Sequence, residues 1–271
     1  MDAVRSDRPN PSQRYNLALC MLASGSKGNA IFISDGATSI LVDAGLSGRE
    51  IERRLRSKGI DPASLSAIVL SHEHSDHTRS VGVLSRRYDL PVYVNPATLK
   101  AAAAQLGRLK KVETFNCGAA FHIDRLQVHP FSISHDAIDP AGFTVACNGT
   151  KIGIATDLGI ATAMVKTHLK GCSLVILEAN HDPAMLIEGP YPWHLKQRIK
   201  GRSGHLSNQD ARMLLDEIKH DRLEQVILAH LSEINNTPAK ARRSVGQALD
   251  QGLTRLDVAR QDRCGKMIYL G

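Results

Sequence analysis

Aromatic side chains are scarce. Phe, Trp and Tyr together make up 4% of 271 residues, with a single Trp. So thin a supply argues against a broad platform of stacked rings of the kind that grips single-stranded nucleic acid. Cysteine is also sparse: Cys20, Cys117, Cys147, Cys172 and Cys264 are odd in number and contain no C-x-x-C pair. That pattern disfavours both a disulfide framework and a thiolate zinc site. Buried free thiols in a reducing compartment are the expectation, so the protein reads as cytoplasmic. No apolar run approaches the roughly 20 residues of a membrane helix. The short apolar stretch at 17–23 follows a Pro-containing polar segment and runs into a Ser/Gly turn, so it reads as a buried strand rather than a secretory signal. No membrane partner is expected. Gly (21) and Pro (11) are too few and too scattered for a fibrous or low-complexity chain.

What remains is an ordinary globular composition, 42% hydrophobic and 23% charged, with two excesses. Lys+Arg (34) outnumber Asp+Glu (27), for a formal charge of +7, which suits an acidic partner such as nucleic acid. Part of that charge is concentrated, with Lys196, Arg198, Lys200 and Arg202 in one segment beside Trp193 and His194. His is the second excess, at 12 residues, several of them clustered.

Residues 1–14 are polar and aperiodic and read as a disordered tail; a single domain is expected over 15–271. Apolar runs at 17–22, 30–34, 40–43, 67–70, 126–133, 142–146, 151–156, 174–177 and 225–229 have the lengths of strands. Asp35-Gly36 and Asn148-Gly149 sit between such runs and predict hairpin turns. Helical periodicity predicts helices over 48–57, 78–87, 97–104, 208–219 and 238–250, with Ser207 or Asn208 capping the fourth. Hairpins first and strands mixed with helices later predict an α/β (α+β) domain of two sheets covered by helices.

The chemistry is concentrated in His72-Glu73-His74-Ser75-Asp76-His77, directly after the apolar run at 67–70. His72 and His74 alternate and can point the same way. Asp76 and His77 fall where the chain turns and can face a second point nearby. Such a set suits two adjacent divalent cations with nitrogen and oxygen ligands, with Glu73 facing away. It is not the H-E-x-x-H of zincins, which needs one helix face.

H-x-H-x-D-H after an apolar strand resembles the signature of the metallo-β-lactamase superfamily, and the rest of that pattern is present in order. Asp43 matches a carboxylate that supports the metal loop by hydrogen bonding, His135 an isolated later ligand, Asp157 a carboxylate bridging both metals, and His230 the last ligand. The resemblance implies a four-layer αββα sandwich. It assigns His72, His74 and His135 to one metal and Asp76, His77 and His230 to a second, with Asp157 shared. Zn²⁺, Mn²⁺ or Fe would all suit these donors. Strings at 23–29, 178–182, 189–193, 195–199 and 204–208 resemble, more narrowly, the WalJ/YycJ-type bacterial metallo-hydrolases, relatives of ribonuclease Z associated with 5′-to-3′ exonuclease activity on DNA.

That resemblance implies a phosphodiesterase acting on DNA through a hydroxide bridging the two metals, with Asp76 and Asp43 in the catalytic set. His205, paired with Glu178, is the expected proton donor to the leaving oxygen. Ser26 and Asn29 in the Gly-rich loop, together with His181, Lys196 and Arg198, are the expected substrate contacts. A thioester or lactone hydrolase on the same metals is the alternative; the basic segment and Gly204-His205-Leu206-Ser207 favour the phosphodiester.

Overall fold

The computed structural model describes residues 15–249 and 252–271, so the expected disordered tail at 1–14 lies outside the described residues. In chain order, β1 (Leu17–Ala23), β2 (Ala30–Ser34), β3 (Ser39–Val42), β4 (Ala67–Val69), β5 (Pro91–Val94) and β6 (Lys111–Thr114) enter one sheet. A second sheet takes β7 (Phe121–Ile123), β8 (Leu126–Ser132), β9 (Ala141–Cys147), β10 (Thr150–Ala155), β11 (Leu174–Glu178), β12 (Gln225–Ala229) and β13 (Arg255–Val258). Then β14 (Ile268–Leu270) crosses back to pair with β1. Among the described residues each sheet has seven strands, in the orders β14-β1-β2-β3-β4-β5-β6 and β13-β12-β11-β10-β9-β8-β7.

Local chemistry accounts for the pairings. Asp35 Oδ1 accepts from the N–H groups of Ala37 and Thr38, closing the turn that joins β2 to β3. Gly149 has φ 82°, which closes the turn between β9 and β10. The strands β10 to β13 run parallel. Every residue of β11 and β12 is buried, as parallel strands covered on both faces require.

Side-chain alternation sorts the core into three layers of contact. Along β1, Leu17, Leu19 and Met21 face the second sheet, where they join Phe143, Val145 and Ile176. The intervening Cys20 and Leu22 face the other way, with Ile51 and Leu55 of helix α1 (Gly48–Ser57). Past the four-residue α2 (Ser75–Thr78), α3 (Val81–Tyr88) and α4 (Pro96–Leu106) add Leu84 and Leu106 to that layer. On the far side Val175, Leu177 and Leu228 meet Val165 of α5 (Ala163–Leu169). Between β11 and the next covering helix the chain makes an excursion through α6 (Pro183–Glu188) and α7 (Trp193–Lys200). Leu214 of α8 (Asn208–Ile218) and Val245 of α9 (Pro238–Val245) complete the outer cluster. Helix, sheet, sheet and helix are stacked as expected. All five cysteines are free, and no helix among the described residues is long and apolar enough to cross a membrane.

Several elements differ from the sequence reading. The helix expected at 78–87 is broken, because Ser80 leaves helical geometry to donate its N–H and Oγ to the Ala44 carbonyl. The helix expected at 238–250 stops at Val245 and passes into a 3-10 turn at Gly246–Ala248; residue 250 lies outside the described residues. Ser207 caps α8 through a reciprocal pair of bonds with Asp210. Strands β5, β6, β7, β13 and β14 and helices α5, α6 and α7 carry too short or too exposed a pattern to show a period.

Phe143 is fully buried between the sheets, its ring edge-on to Phe115 at 5.7 Å. Phe143→Ala should lower the unfolding free energy by about 3–5 kcal/mol. Urea denaturation reads this as a lower midpoint at unchanged slope. A loss below about 1 kcal/mol would show that the inter-sheet layer is not the packed core described here.

Candidate metal centre

The site forms where strands stop. β3, β4 and β5 run parallel, as do β10, β11 and β12, and β9 is antiparallel to both β8 and β10. Asp43, His72, His135, Asp157 and His230 therefore all follow the C-terminal ends of strands, and Glu178 is the last residue of β11. Three of them turn left-handed: Asp43 at φ 61°, Asp157 at φ 58° and His230 at φ 54°. For residues other than glycine this conformation costs about 1–3 kcal/mol and is held by its surroundings. It swings each side chain out of the strand's alternation and over the end of the sheet. The His230 backbone is fixed there by two bonds: its N–H donates to Ser24 Oγ (2.8 Å) and its carbonyl accepts from Asn180 Nδ2 (2.9 Å).

Two trios result. His72 Nε2 and His135 Nε2 lie 3.2 and 3.3 Å from His74 Nδ1. His77 Nε2 and His230 Nε2 lie 3.5 and 3.6 Å from Asp76 Oδ2. Asp157 stands between, with Oδ2 3.4 Å from His77 Nε2 and Oδ1 3.3 Å from His230 Nε2. Within each trio the ligand atoms lie within 4.8 Å of one another. This is a poor arrangement for hydrogen bonding and a good one for divalent cations. Three imidazole nitrogens that face one another cannot all be satisfied by sharing protons. Asp157 Oδ2 and His230 Nε2 are buried with no hydrogen-bond partner, atoms of the kind a cation would engage.

Outer partners fix which nitrogen four of the five imidazoles offer. His77 Nδ1 donates to Asp43 Oδ2 (2.7 Å), which turns Nε2 toward Asp76 and Asp157. Asp43 also accepts from the Ser71 N–H (2.8 Å) and Oγ (2.9 Å), so the Ser71 oxygen is open to His72 Nδ1 (2.9 Å). His135 Nδ1 donates to the Gly204 carbonyl (3.3 Å) and His230 Nδ1 to Glu178 Oε1 (3.1 Å). Such second contacts orient ligands and raise their basicity. Glu178 could be counted among the ligand atoms, but its oxygens are spent on His205, His230 and the N–H groups of Leu158 and Leu206.

The charge environment divides the trios. Burial lowers the proton affinity of His72, and neighbouring imidazoles lower it further; burial also lowers His135. Burial acts the same way on His77 and His230, but carboxylates outweigh it. Asp43 and Asp157 raise His77 well above its ordinary value, and Asp157, Asp76 and Glu178 raise His230 to about 10. Burial pushes Asp76 and Glu178 up, yet the facing imidazoles hold both ionised, through their charge at Asp76 and through charge and hydrogen bonds at Glu178.

His205 sits beside both trios. Its ring stacks on His230 at 5.1 Å and lies 5.1 Å from His135. Its Nδ1 donates to Glu178 Oε1 at 2.8 Å, and the side chain retains 22% exposure. Burial disfavours its charge, but Glu178 outweighs this and raises its proton affinity.

The expected substrate contacts fare unevenly. Ser26 is exposed at the tip of the Gly-rich loop, and Arg198 is exposed on α7, with Nε on Asp136 Oδ2 at 2.6 Å, next to His135. His181 is buried beside Glu178 and His205, its Nδ1 without a partner; burial brings it down to about 4, so the ring is neutral. Two residues need correction. Lys196 is buried and its Nζ donates to the Ile187 carbonyl (2.6 Å), tying α7 to α6 rather than reaching outward. Asn29 is also buried, with Nδ2 3.1 Å from Asp76 Oδ2 and 3.0 Å from His77 Nε2, so it positions ligands. The fit there is tight: a Cβ on Gly45 would lie 1.6 Å from the Asp76 carbonyl oxygen, to which the Asn29 N–H donates at 2.7 Å.

Sequence reasoning missed four positioning residues. Ser24 stood inside the string at 23–29 without a role, Ser71 fell unremarked between the apolar run at 67–70 and His72, and Asn180 could have been singled out by its neighbours Glu178 and His181. Gln261 gave no signal, yet its side chain accepts from the Lys27 N–H (2.8 Å) and donates to the Gly28 carbonyl (2.9 Å), clasping the loop that carries Asn29.

Asp43→Asn should keep the fold and weaken metal binding by roughly 10–100-fold, since it withdraws an outer partner of His77. Competition with a chelator measures this, and unchanged affinity would remove Asp43 from the supporting shell. Against known proteins, the beta-lactamase superfamily domain matches residues 38–231. The chain is 37% identical over 237 residues to Exodeoxyribonuclease YycJ of Bacillus anthracis, covering 87% of this chain and 90% of that protein. It is 34% identical over 235 residues to Exodeoxyribonuclease WalJ of Streptococcus pneumoniae serotype 2, covering 85% and 87%. The fold matches that of the metallo-beta-lactamase fold protein YhfI from Bacillus subtilis with a TM-score of 0.72 at 15% identity, over 92% of this chain and 99% of that one. Every side chain of the two trios falls inside the matched span, and the chain belongs to the beta-lactamase superfamily, as a metal-dependent hydrolase.

Proposed function

We propose that the protein is a nuclease that degrades DNA from a 5′ end, with one divalent cation held by His72, His74 and His135, a second by Asp76, His77 and His230, and Asp157 between them. The relatives named exodeoxyribonucleases support the substrate class. The observation that carries the reaction class is His205, an imidazole whose proton affinity is raised by the Glu178 carboxylate that holds it beside both trios. A sugar oxygen leaves poorly without a proton, whereas a thiolate leaves readily, so a dedicated acid suits a phosphodiester better than a thioester. The exposed cations Arg198, Lys200 and Arg202 near the same rim suit a polyanion better than a lactone.

When bound, the cations supply Lewis acidity toward a phosphoryl oxygen and lower the pKa of a water toward neutrality. The chain's own residues do the rest. Asp43 and Ser71 hold His77 and His72 in the tautomers that present Nε2. Glu178 accepts the Nδ1 proton of His205 and stabilises the charged ring, leaving the Nε2 proton for the leaving oxygen. A positioned acid of this kind contributes about 10²–10⁴-fold. His181, neutral and three positions beyond Glu178, and Ser26 on its loop are suited to phosphate contacts. Arg198 would hold the backbone, which sets position rather than sequence preference.

Zinc- or manganese-reconstituted protein should release nucleotides stepwise from the 5′ end of labelled DNA, and His74→Ala should lose both retained metal and cleavage. Turnover of acyl substrates with indifference to DNA would overturn this reading in favour of a thioester or lactone hydrolase. The pH profile tests His205. As an acid it must carry its proton, so activity falls as pH rises through its pKa. Glu178 raises that pKa, and Glu178→Gln at saturating metal should therefore move the alkaline limb of kcat/KM to lower pH. An unmoved limb would remove His205 from this role.

A further inference from the structure

A cleft of about 460 Å³ opens on the metal ligand Asp76, between the tip of the Gly-rich loop and the start of α2. Its volume falls within the roughly 300–1,000 Å³ of small-ligand sites. The lining is unusual in its donors. Arg79, exposed at the end of α2, has no carboxylate or hydrogen-bond partner for its guanidinium among the described residues. The other cations of the neighbourhood are engaged: Lys27 pairs with Glu233 at 2.6 Å, and Arg198 pairs with Asp136. The Ser26 and Ser75 hydroxyls also face this cleft without partners. Gln105 Oε1 accepts from Thr78 Oγ1 at 2.6 Å, so its amide N–H groups are what it has left to offer. The only carboxylate in the lining is Asp76, which belongs to the metal centre.

A guanidinium, two hydroxyls and an amide N–H₂ around one small volume are complementary to an anion with several acceptor oxygens, and a planar guanidinium can engage two of them at once. We propose that this cleft binds a phosphate group of the substrate strand, with Arg79 as its anchor. The inference rests on the nuclease reading and extends it. The Arg198 rim lies beside His135 of the first trio, and the Arg79 cleft beside Asp76 of the second. A strand lying across both trios then meets the Arg79 guanidinium on one flank and the Asp136-paired Arg198 on the other. The reacting phosphodiester is held from two sides.

The test is binding of the metal-loaded full chain to hydrolysis-resistant phosphorothioate DNA, with and without a 5′-phosphate, followed by fluorescence anisotropy across salt concentrations. Arg79→Ala should weaken binding by roughly tenfold or more, the scale of a charge-assisted hydrogen bond, and reduce the salt slope by about 1. Arg79→Lys should recover part of the loss. Arg222→Ala, an exposed arginine in the turn after α8, serves as the control and should bind like the parent. If the cleft takes a terminal phosphate, Arg79→Ala abolishes the preference for the phosphorylated end; if it takes an internal phosphodiester, both oligonucleotides weaken equally. Either result supports the site. Unchanged affinity and slope in Arg79→Ala, or an equal loss in Arg222→Ala, overturns it while the nuclease reading stands. A parent protein that neither binds nor degrades DNA overturns both.

Discussion

Imidazoles and carboxylates brought together out of contact with water are stable only if something balances their charge and occupies their lone pairs. His72, His74 and His135 turn three nitrogens toward one point, and Asp157 leaves a buried oxygen without a hydrogen-bond donor. Much of the surrounding architecture can be understood as holding that arrangement in place. Parallel strands deliver the residues to one end of two facing sheets, left-handed turns at Asp43, Asp157 and His230 aim them, and Ser24 and Asn180 lock the His230 backbone.

Two buried carboxylates outside the trios divide the supporting work. Asp43 serves the first sheet, gripping His77 directly and His72 through Ser71. Glu178 serves the second, gripping His230 and also His205. The second carboxylate therefore couples His230 to the neighbouring His205, and a change at Glu178 acts on both. The backbone N–H groups of Leu158 and Leu206 keep its other oxygen in place, so it cannot turn toward the ligands without leaving two donors unsatisfied.

Much of this was legible in the sequence because it is local or ordered. The His72–His77 cluster spans a few positions after an apolar run, and Asp43, His135, Asp157 and His230 could be matched in order along the chain. The buried strands announced themselves by unbroken apolar runs. Direction was not legible. Lys196 stands among exposed cations in the sequence, but its place on α7 turns it inward to the Ile187 carbonyl. Asn29 sits in a Gly-rich loop that reads as solvent-facing, but the close approach of Gly45 to Asp76 draws it under the metal loop. The strand β6, exposed along most of its length, has no apolar period to detect. Gln261 acts across more than two hundred positions, a separation at which a single sequence carries no pairing information.

The Gln261 clasp has a consequence for folding kinetics. The loop carrying Asn29 and its anchor stand more than two hundred positions apart, and β14 pairs with β1 over a similar span. Joining segments so distant along the chain costs loop entropy before any contact repays it, so the scaffold beneath Asn29 is completed late in folding rather than early.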